Sequence, residues 1–431
     1  MNNYKDRLLR AIPGGAHTYS RGFDQYPENS PAILERGEGA YTYDTDGNKY
    51  LDYGMALRAV NLGYANKEVN QAAIKQIKNG NNLTRASTIE LEAAELLIDM
   101  IDSVDMVKFT KNGSTATTAA IKLSRAYTSR QMVLRCAEHP FFSYDDWFIG
   151  STVISRGVSQ KDQNDTKLFN YNDIDSLNTL FEQYSNEIAC VILEPATTEH
   201  PRGNFLHKVK QLCEKNGAVF ILDEMITGFR WDMKGAQHYC GVEADLCTFG
   251  KAMANGFSVA AVCGKREIMQ LGSIEKIGQE RMFLLSTTHG AEMSGLGAFV
   301  ETMKYMQEHN VVEHLWRYGK SLIDLINTTA KKFEIEKNFV AGGIECSPYY
   351  LTFDKEGDNC LGLRTLFAQE MVKNGVLIPW IAISYAHGNK ELELTKNALE
   401  NTFEVYKKAV DEGFEKYLIG DPIKPVFRKF N

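Results

Sequence analysis

The chain has 431 residues, 44% hydrophobic and 24% charged, a composition typical of a globular protein with a large core and two or three lobes. Its 55 acidic and 48 basic residues give a net charge of −7, which provides no basic surface and argues against a nucleic-acid partner. Eight scattered cysteines without a CxxC pair, and the lack of a membrane-length apolar run or a signal-peptide core, predict a cytoplasmic protein with reduced thiols, no metal site and no membrane contact.

Residues 1–60 are expected to form an irregular arm followed by a β-hairpin. The arm contains IPGGAHTYSRGF, which is rich in glycine and polar residues. The hairpin is predicted at AYTYDTDGNKYLDYG, where alternating aromatic residues flank the turn sequence Thr45-Asp46-Gly47.

From about Asn66 onward, helical segments alternate with short apolar or β-branched runs. The runs predicted as strands are MVKFT, QMVLRC, STVIS, EIACVILE, AVFILD, ADLCTFG and SVAAVCG. This alternation predicts an α/β fold with a mostly parallel sheet of seven strands in a large domain, residues 61–310. Residues 311–431 are expected to form a smaller α+β domain, with the strand PYYLTF, a long helix from Lys390 to Val410, and a C-terminal tail.

A candidate anion site follows the first predicted strand of the large domain. Asn112, Gly113, Ser114 and Thr115 lie where MVKFT gives way to a helix, so free backbone N–H groups and two hydroxyls could hold a phosphate. Taken alone, the same residues are better explained as a plain helix cap. Neither a Walker motif nor a GxGxxG motif is present, which argues against nucleoside triphosphate and dinucleotide ligands.

An acid and a lysine follow two later strands. VFILDEMITGFR places Asp223 at the end of an apolar run, where a buried carboxylate could keep a heterocyclic nitrogen protonated. Lys251 follows Thr248-Phe249-Gly250 and precedes small residues, so its amine could be desolvated and nucleophilic towards an aldehyde. Alone, each has a structural explanation, as an ion-paired acid and a surface lysine. Their occurrence together, downstream of a phosphate-type site, favours a catalytic role.

These residues carry a family resemblance. The chain resembles the class III aminotransferases of the pyridoxal 5'-phosphate fold type I superfamily, most of all the glutamate-1-semialdehyde 2,1-aminomutases, and the likeness is densest from GAVFILDEMITGFR to VCGKREIM. It implies that Asp223 binds the pyridine nitrogen and that Lys251 forms the internal aldimine. The family pattern xxGKxxxxGxP is matched except that Ser258 replaces the proline. The large domain would therefore bind pyridoxal 5'-phosphate.

The resemblance also implies the remaining cofactor contacts. Met225 would cover one face of the cofactor ring, and either Phe141 or Phe142 in HPFFSYDDW would cover the other, a choice that the sequence leaves open. Glu194 stands beside the cofactor in the family, although a structural acid is an equally good interpretation. The phosphate cup corresponds to Gly113, Ser114 and Thr115.

Two further residues concern the substrate and the assembly. Arg21 falls where the aminomutases hold the substrate carboxylate. Thr287 resembles the threonine that reaches the phosphate of a neighbouring subunit, which implies a homodimer with shared active sites.

Two departures from the aminomutase pattern affect the expected reaction. The segment that retains the intermediate is shortened to STVISRGVSQKDQNDTKLFNYND, and a late acidic segment is replaced by LIPWIAISYAHG, in which Trp380 and Tyr385 are aromatic. An intramolecular exchange fails if its intermediate escapes, so we expect an intermolecular aminotransferase. Its donor would be an amino acid such as glutamate, and its acceptor an aldehyde or ketone on a sugar-like metabolite. The alternatives are the aminomutase and a non-catalytic phosphate-ligand-binding module, against which intact Asp223 and Lys251 argue.

Overall fold

The structure, a computed structural model, describes residues 4–431. Its N-terminal segment contains the helix α1 (Tyr4–Ala11), the strands β1 (Leu34–Glu38), β2 (Tyr41–Asp44) and β3 (Lys49–Asp52), and the single turn α2 (Met55–Arg58). The predicted hairpin is confirmed, because β2 and β3 pair antiparallel with Tyr41 opposite Leu51. The arm before it consists of short 3-10 turns.

The central segment alternates strands and helices. Its strands are β4 (Met106–Thr110), β5 (Met132–Cys136), β6 (Thr166–Phe169), β7 (Ile188–Leu193), β8 (Val219–Asp223), β9 (Leu246–Phe249) and β10 (Ala260–Gly264). Its helices are α3 (Lys67–Lys78), α4 (Thr88–Met100), α5 (Gly113–Thr128), α6 (Asp146–Ile149), α7 (Gln160–Asn164), α8 (Ile174–Gln183), α9 (Phe205–Asn216), α10 (Ala236–Tyr239), α11 (Arg266–Met269) and α12 (Met293–Glu308).

The C-terminal segment supplies the remaining elements. They are α13 (Val311–Lys332), β11 (Phe339–Ile344), β12 (Ser347–Thr352), α14 (Leu361–Lys373), β13 (Val376–Leu377) and α15 (Asn389–Glu412). The predicted strand PYYLTF lies largely within β12, and the predicted long helix is α15.

The seven central strands form one sheet in the order β4-β10-β9-β8-β7-β5-β6. Only β10 runs antiparallel to its neighbours, β4 and β9, so the expected mostly parallel sheet is confirmed. The strands β5, β7, β8, β9 and β10 are buried at every position, which explains why their sequences read as continuous apolar runs.

One predicted strand, STVIS at residues 151–155, is wrong. Ser151 Oγ donates to the carbonyl of Phe148 at 2.6 Å, and Thr152 Oγ1 donates to that of Ile149 at 2.8 Å. These local bonds continue the end of α6 and compete with strand pairing. The seventh strand is instead β6, which the polar sequence TKLF did not suggest.

The chain divides into two units. The N/C unit comprises the described residues up to Asn66 together with Glu313–Arg428, and the central unit comprises Lys67–Val312 with Lys429–Asn431. The N/C unit holds the sheet β1-β2-β3-β13 and the hairpin β11-β12. The expected division at residues 60 and 310 stays a prediction. Over residues 4–431, no helix has the length and apolarity that crossing a membrane requires.

Candidate active site

Sheet register brings the predicted acid and lysine to one edge of the central sheet. Asp223 is the last residue of β8, and it stands opposite Thr248 of the parallel neighbour β9. Lys251 follows β9 after a single glycine, Gly250. In α/β sheets the carboxyl ends of parallel strands are where ligands bind.

The Asp223 carboxylate is held on one side and open on the other. Its Oδ1 accepts hydrogen bonds from the N–H of Met225 and from Thr248 Oγ1, both at 3.0 Å. No donor within residues 4–431 reaches Oδ2, although the side chain is only 2% exposed. Burial raises the pKa of Asp223 to about 6, while Lys251 opposes the shift. Such a carboxylate gains most from a cationic N–H partner.

The neighbouring carboxylate, Glu224, has a different environment. It accepts the N–H groups of Ala236 and Gln237 at 2.8 and 2.9 Å and the hydroxyl of Thr227 at 2.7 Å. Burial raises its pKa to about 7. Because both oxygens are occupied, Glu224 fastens the loop after β8 rather than facing a ligand.

Lys251 has a strained backbone. Its φ is +43°, in the left-handed region that costs a non-glycine residue about 1 kcal/mol or more. It opens a short 3-10 turn, Lys251–Ala254, whose next three residues are buried. Backbone strain of this kind is typical of residues that a ligand site positions.

Two glycines fit the site around Met225. A Cβ atom on Gly113 would lie 2.8 Å from Met225 Sδ, and one on Gly250 would lie 2.6 Å from it. A side chain at either position would therefore displace Met225. The contact joins three predicted parts of the site: the phosphate end, the acid segment and the lysine.

The phosphate end is a capped helix start. Asn112 Oδ1 accepts the N–H of Thr115 at 2.8 Å and its hydroxyl at 3.0 Å, so the capping interpretation holds. Ser114 Oγ accepts the N–H of Tyr144 at 3.2 Å, which leaves its own hydrogen for another acceptor. The first turn of α5 also offers backbone N–H groups to an anion.

The two candidate aromatic residues differ in exposure. Phe142 is 2% exposed and packs against Phe148 with ring centroids 5.8 Å apart. Phe141 also contacts Phe148, at 5.6 Å, but is 46% exposed. Of the two rings, Phe141 therefore has far more surface available to a ligand.

Glu194 lies directly after β7 and is 2% exposed. Its backbone N–H donates to Nδ1 of His139 at 2.9 Å. Burial lowers the pKa of His139 to about 3, so the imidazole is neutral and carries its hydrogen on Nε2. Sequence reasoning missed His139.

Arg21 belongs to the N/C unit. It lines a cavity of about 690 Å³ there with Tyr26, Tyr64 and Trp380. Tyr385 is not among the lining residues, because its ring packs edge-on against His314. In the central unit, Thr287 is exposed in an irregular segment before α12.

These observations test whether the residues fit pyridoxal 5'-phosphate. The open Oδ2 of buried Asp223 suits a protonated ring nitrogen, and Lys251 suits the aldehyde. Gly113 and Gly250 allow Met225 to pack closely between the phosphate end and the lysine. The residues fit the group. Thr248 completes the set, and its signal was a lone hydroxyl within the apolar run ADLCTFG.

Comparison with known proteins gives the family. Residues 23–378 match the model of the class III aminotransferases. The chain is 33% identical over 425 residues to the glutamate-1-semialdehyde 2,1-aminomutase of Alkaliphilus oremlandii, covering 93% of this chain and 98% of the relative. It is similar in sequence to the same enzyme of Acetivibrio thermocellus, at 30% identity over 90% and 94% of the two chains.

Solved structures agree with the fold. The internal aldimine form of the FumI protein from Sphingopyxis sp. MTA144 superposes with a TM-score of 0.86, at 25% identity over 95% of this chain and 97% of that one. A glutamate-1-semialdehyde aminomutase from Pseudomonas aeruginosa gives 0.81 at 20% identity, over 94% of each chain. The expected fold type I architecture and pyridoxal 5'-phosphate cofactor are confirmed. The chain belongs to the class III aminotransferase family and is an enzyme of that family.

Proposed function

We propose that the protein is an intermolecular aminotransferase, which moves an amino group from an amino donor to an aldehyde or ketone acceptor. The observation that carries this choice is the wall of the Arg21 cavity. Trp380 lines this cavity, and the residues that follow it, Ile381, Ala382 and Ile383, are buried. The segment is therefore apolar, whereas the aminomutase pattern has an acidic segment at this place. A volume of about 690 Å³ accommodates a partner larger than glutamate 1-semialdehyde.

Each predicted site residue has a role in this proposal. When bound, the cofactor supplies an electron sink for the carbon that loses a proton. Lys251 would hold the cofactor through its amine, and the same amine would move the proton as general base and acid. Asp223 Oδ2 keeps the ring nitrogen protonated. Met225 and Phe141 cover the two ring faces.

The remaining polar residues bind rather than react. We assign Gly113, Ser114 and Thr115 to the phosphate, and Glu194 to the cofactor environment beside neutral His139. Arg21 binds the carboxylate of a donor such as glutamate through paired hydrogen bonds. An aromatic wall that contains Tyr26 and Trp380 suits a sugar-like or similarly large acceptor, which can place an apolar face against the rings.

We further propose a homodimer with shared active sites, in which Thr287 contacts the phosphate of the neighbouring subunit. Support comes from its exposure in the segment before α12. Sedimentation of the active protein should give at least a dimer, and a stable, active monomer would contradict the proposal. We also propose a cytoplasmic location, supported by eight free thiols, six of them buried.

The second candidate is the aminomutase, favoured by the names of the sequence relatives. A half-reaction screen separates the two. Amino acids and amino sugars are offered singly while the visible absorbance of the bound cofactor is followed, and glutamate 1-semialdehyde is tested for isomerisation. Efficient isomerisation without an external amine would establish the aminomutase instead. A purified protein that stays colourless would indicate the non-catalytic module.

A further inference from the structure

Hydroxyl groups fasten the segment after β5 to the first turns of α5. Thr117 Oγ1 lies 2.9 Å from the carbonyl of Phe142, and it shares its one hydrogen between this carbonyl and those of Ser114 and Gly113, at 3.0 and 3.1 Å. Ser143 Oγ lies 3.4 Å from the carbonyl of Ser114 and 3.2 Å from Thr118 Oγ1. We call the five residues Ser114, Thr117, Thr118, Ser143 and Asp145 the hydroxyl clamp.

Thr118 is the centre of the hydroxyl clamp. Its Oγ1 donates to Asp145 Oδ2 at 2.5 Å and accepts Nε1–H of Trp147 at 2.8 Å. A hydroxyl has one hydrogen, so the remaining lone pair is available to the hydroxyl of Ser143. Three side chains of the segment therefore converge on a single oxygen, which serine could supply and valine could not.

The clamp joins two parts of the proposed cofactor site. At its helical end, Ser114 Oγ accepts the N–H of Tyr144, so its own hydrogen is available to another acceptor such as an anion. At its other end, Phe142 is fixed through its carbonyl, and the preceding residue is exposed Phe141. The phosphate end and the stacking ring are thus held at a fixed separation.

The helix α5 is also held in place by apolar packing. Ala116, Ala119, Ala120, Ile121 and Leu123 are buried on this helix. This apolar contact does not involve the hydroxyl of Thr118, which is only half-buried. We therefore expect the clamp to matter more for the position of Phe141 than for the stability of α5.

We propose that Thr118 is a positioning residue for pyridoxal 5'-phosphate, acting through Ser143, Asp145 and Trp147 on the segment that carries Phe141. It does not touch the cofactor. The inference rests on the proposed roles of Phe141 and Ser114. It predicts that loss of one hydroxyl weakens cofactor binding without a matching loss of fold stability.

The test measures the Kd of pyridoxal 5'-phosphate for reconstituted apoprotein, the visible circular dichroism of the bound cofactor, and the Tm of the apoprotein. For Thr118→Val we expect roughly a tenfold rise in Kd and a weaker dichroic signal, since several hydrogen bonds that order the segment are lost. Thr118→Ser keeps the hydroxyl oxygen, so its Kd should stay within about twofold of the wild-type value.

Thr128→Val is the matched control. This threonine lies on the same helix, is also half-buried, and donates to the carbonyl of Ser124 at 2.7 Å, away from the clamp. It should leave Kd unchanged. If Thr118→Val lowers the apoprotein Tm so far that it cannot be reconstituted, Trp147→Phe removes one donor to Thr118 and should raise Kd by about threefold.

The outcomes separate this inference from the proposed function. Wild-type protein that fails to bind pyridoxal 5'-phosphate would overturn the site itself. If the wild type binds the cofactor and Thr118→Val shows the same Kd and the same dichroism, only the role of Thr118 is overturned. Where Thr118→Val does not fold, the same result in Trp147→Phe has the same meaning. A Kd raised equally by Thr128→Val would also overturn it, by showing a general effect on α5.

Discussion

Two aspartates in different units invite comparison because their local settings are alike. Asp52 ends β3 in the N/C unit, and Asp223 ends β8 in the central unit. They are 5% and 2% exposed, and burial raises the pKa of both. Each lies near non-glycine residues with positive φ. Asp52 is followed along the chain by Met55–Arg58, with φ of 39° to 66°. Asp223 pairs in the sheet with Thr248 of β9, and Lys251 follows that strand.

Their hydrogen bonding differs. Asp52 Oδ1 accepts the N–H of Gly54 at 2.6 Å, and Oδ2 accepts the hydroxyl of Tyr64 at 2.7 Å. That same hydroxyl accepts the N–H of Ala56 at 2.9 Å, so Asp52 supports the left-handed turn α2. Asp223 leaves Oδ2 to a partner from outside the described chain. A buried carboxylate with both oxygens occupied supports the fold, whereas one with an open oxygen is prepared for a ligand.

The largest expected effect tests the lysine beside the open carboxylate. Lys251→Ala should reduce turnover by about 10⁴-fold or more, because both the nucleophile and the proton carrier are removed. Steady-state kinetics and the visible absorbance of the cofactor measure this, and far-ultraviolet circular dichroism checks the fold. Lys408→Ala, which removes an exposed ion pair with Glu404, is the control and should change turnover little. Normal turnover in Lys251→Ala would refute the mechanism.

The next effect bears on the open oxygen directly. Asp223→Asn keeps the shape of the side chain but loses its charge, so kcat should fall by about 10²- to 10³-fold while the cofactor remains bound. Asp52→Asn, at a residue that lines the Arg21 cavity, should lower kcat far less than Asp223→Asn does, and should reduce the free energy of unfolding. The comparison fails if Asp52→Asn loses more activity than Asp223→Asn.

How far the sequence predicts these regions depends on what a pattern can encode. The central sheet was predictable because buried strands are continuous apolar runs, and Asp223 and Lys251 were visible because they end such runs. Thr248 was not predicted, since its bond to Asp223 joins residues 25 positions apart and requires the register of β8 and β9. The strand β6 was missed because half of TKLF is polar.

The left-handed turn shows the limit most clearly. No residue of Met55–Arg58 is glycine, so local rules argue against positive φ throughout. The chain nevertheless adopts this turn, because two distant side chains bond to its backbone. The hydroxyl of Tyr64 accepts the N–H of Ala56, and the indole N–H of Trp380 donates to the carbonyl of Gly54 at 3.0 Å. Trp380 lies more than three hundred positions away along the chain. Contacts of that range are not readable from one sequence.

An intermediate effect concerns pH. The pKa of Asp223 is raised from 3.8 to about 6 in the folded apoprotein, so its contribution to stability is present below the unfolded pKa and is lost as pH rises through about 6. The free energy of unfolding should therefore fall by about 2 kcal/mol between about pH 4 and pH 7 on this account, and Glu224, raised to about 7, adds in the same direction.

Urea unfolding of the apoprotein at several pH values measures this dependence. Asp223→Asn should flatten the profile, leaving the part that belongs to Glu224. Bound cofactor should flatten it too, because a cationic ring nitrogen favours the charged carboxylate. An identical profile for the wild type and Asp223→Asn would show that the carboxylate is not the source.

The smallest effect tests the closed carboxylate. Tyr64→Phe removes the hydrogen bond to Asp52 Oδ2 and the acceptor for the N–H of Ala56, so a buried carboxylate oxygen and a strained turn both lose a partner. The free energy of unfolding should fall by about 1–3 kcal/mol. Tyr50→Phe is the matched control: its hydroxyl also donates to a strand-end aspartate, Asp44, at 3.1 Å, but Asn48 supplies that carboxylate with two further bonds. Its cost should stay below about 1 kcal/mol. Equal losses in the two variants, measured by urea unfolding, would mean that Asp52 needs Tyr64 no more than Asp44 needs Tyr50, and the supporting role of the closed carboxylate would be wrong.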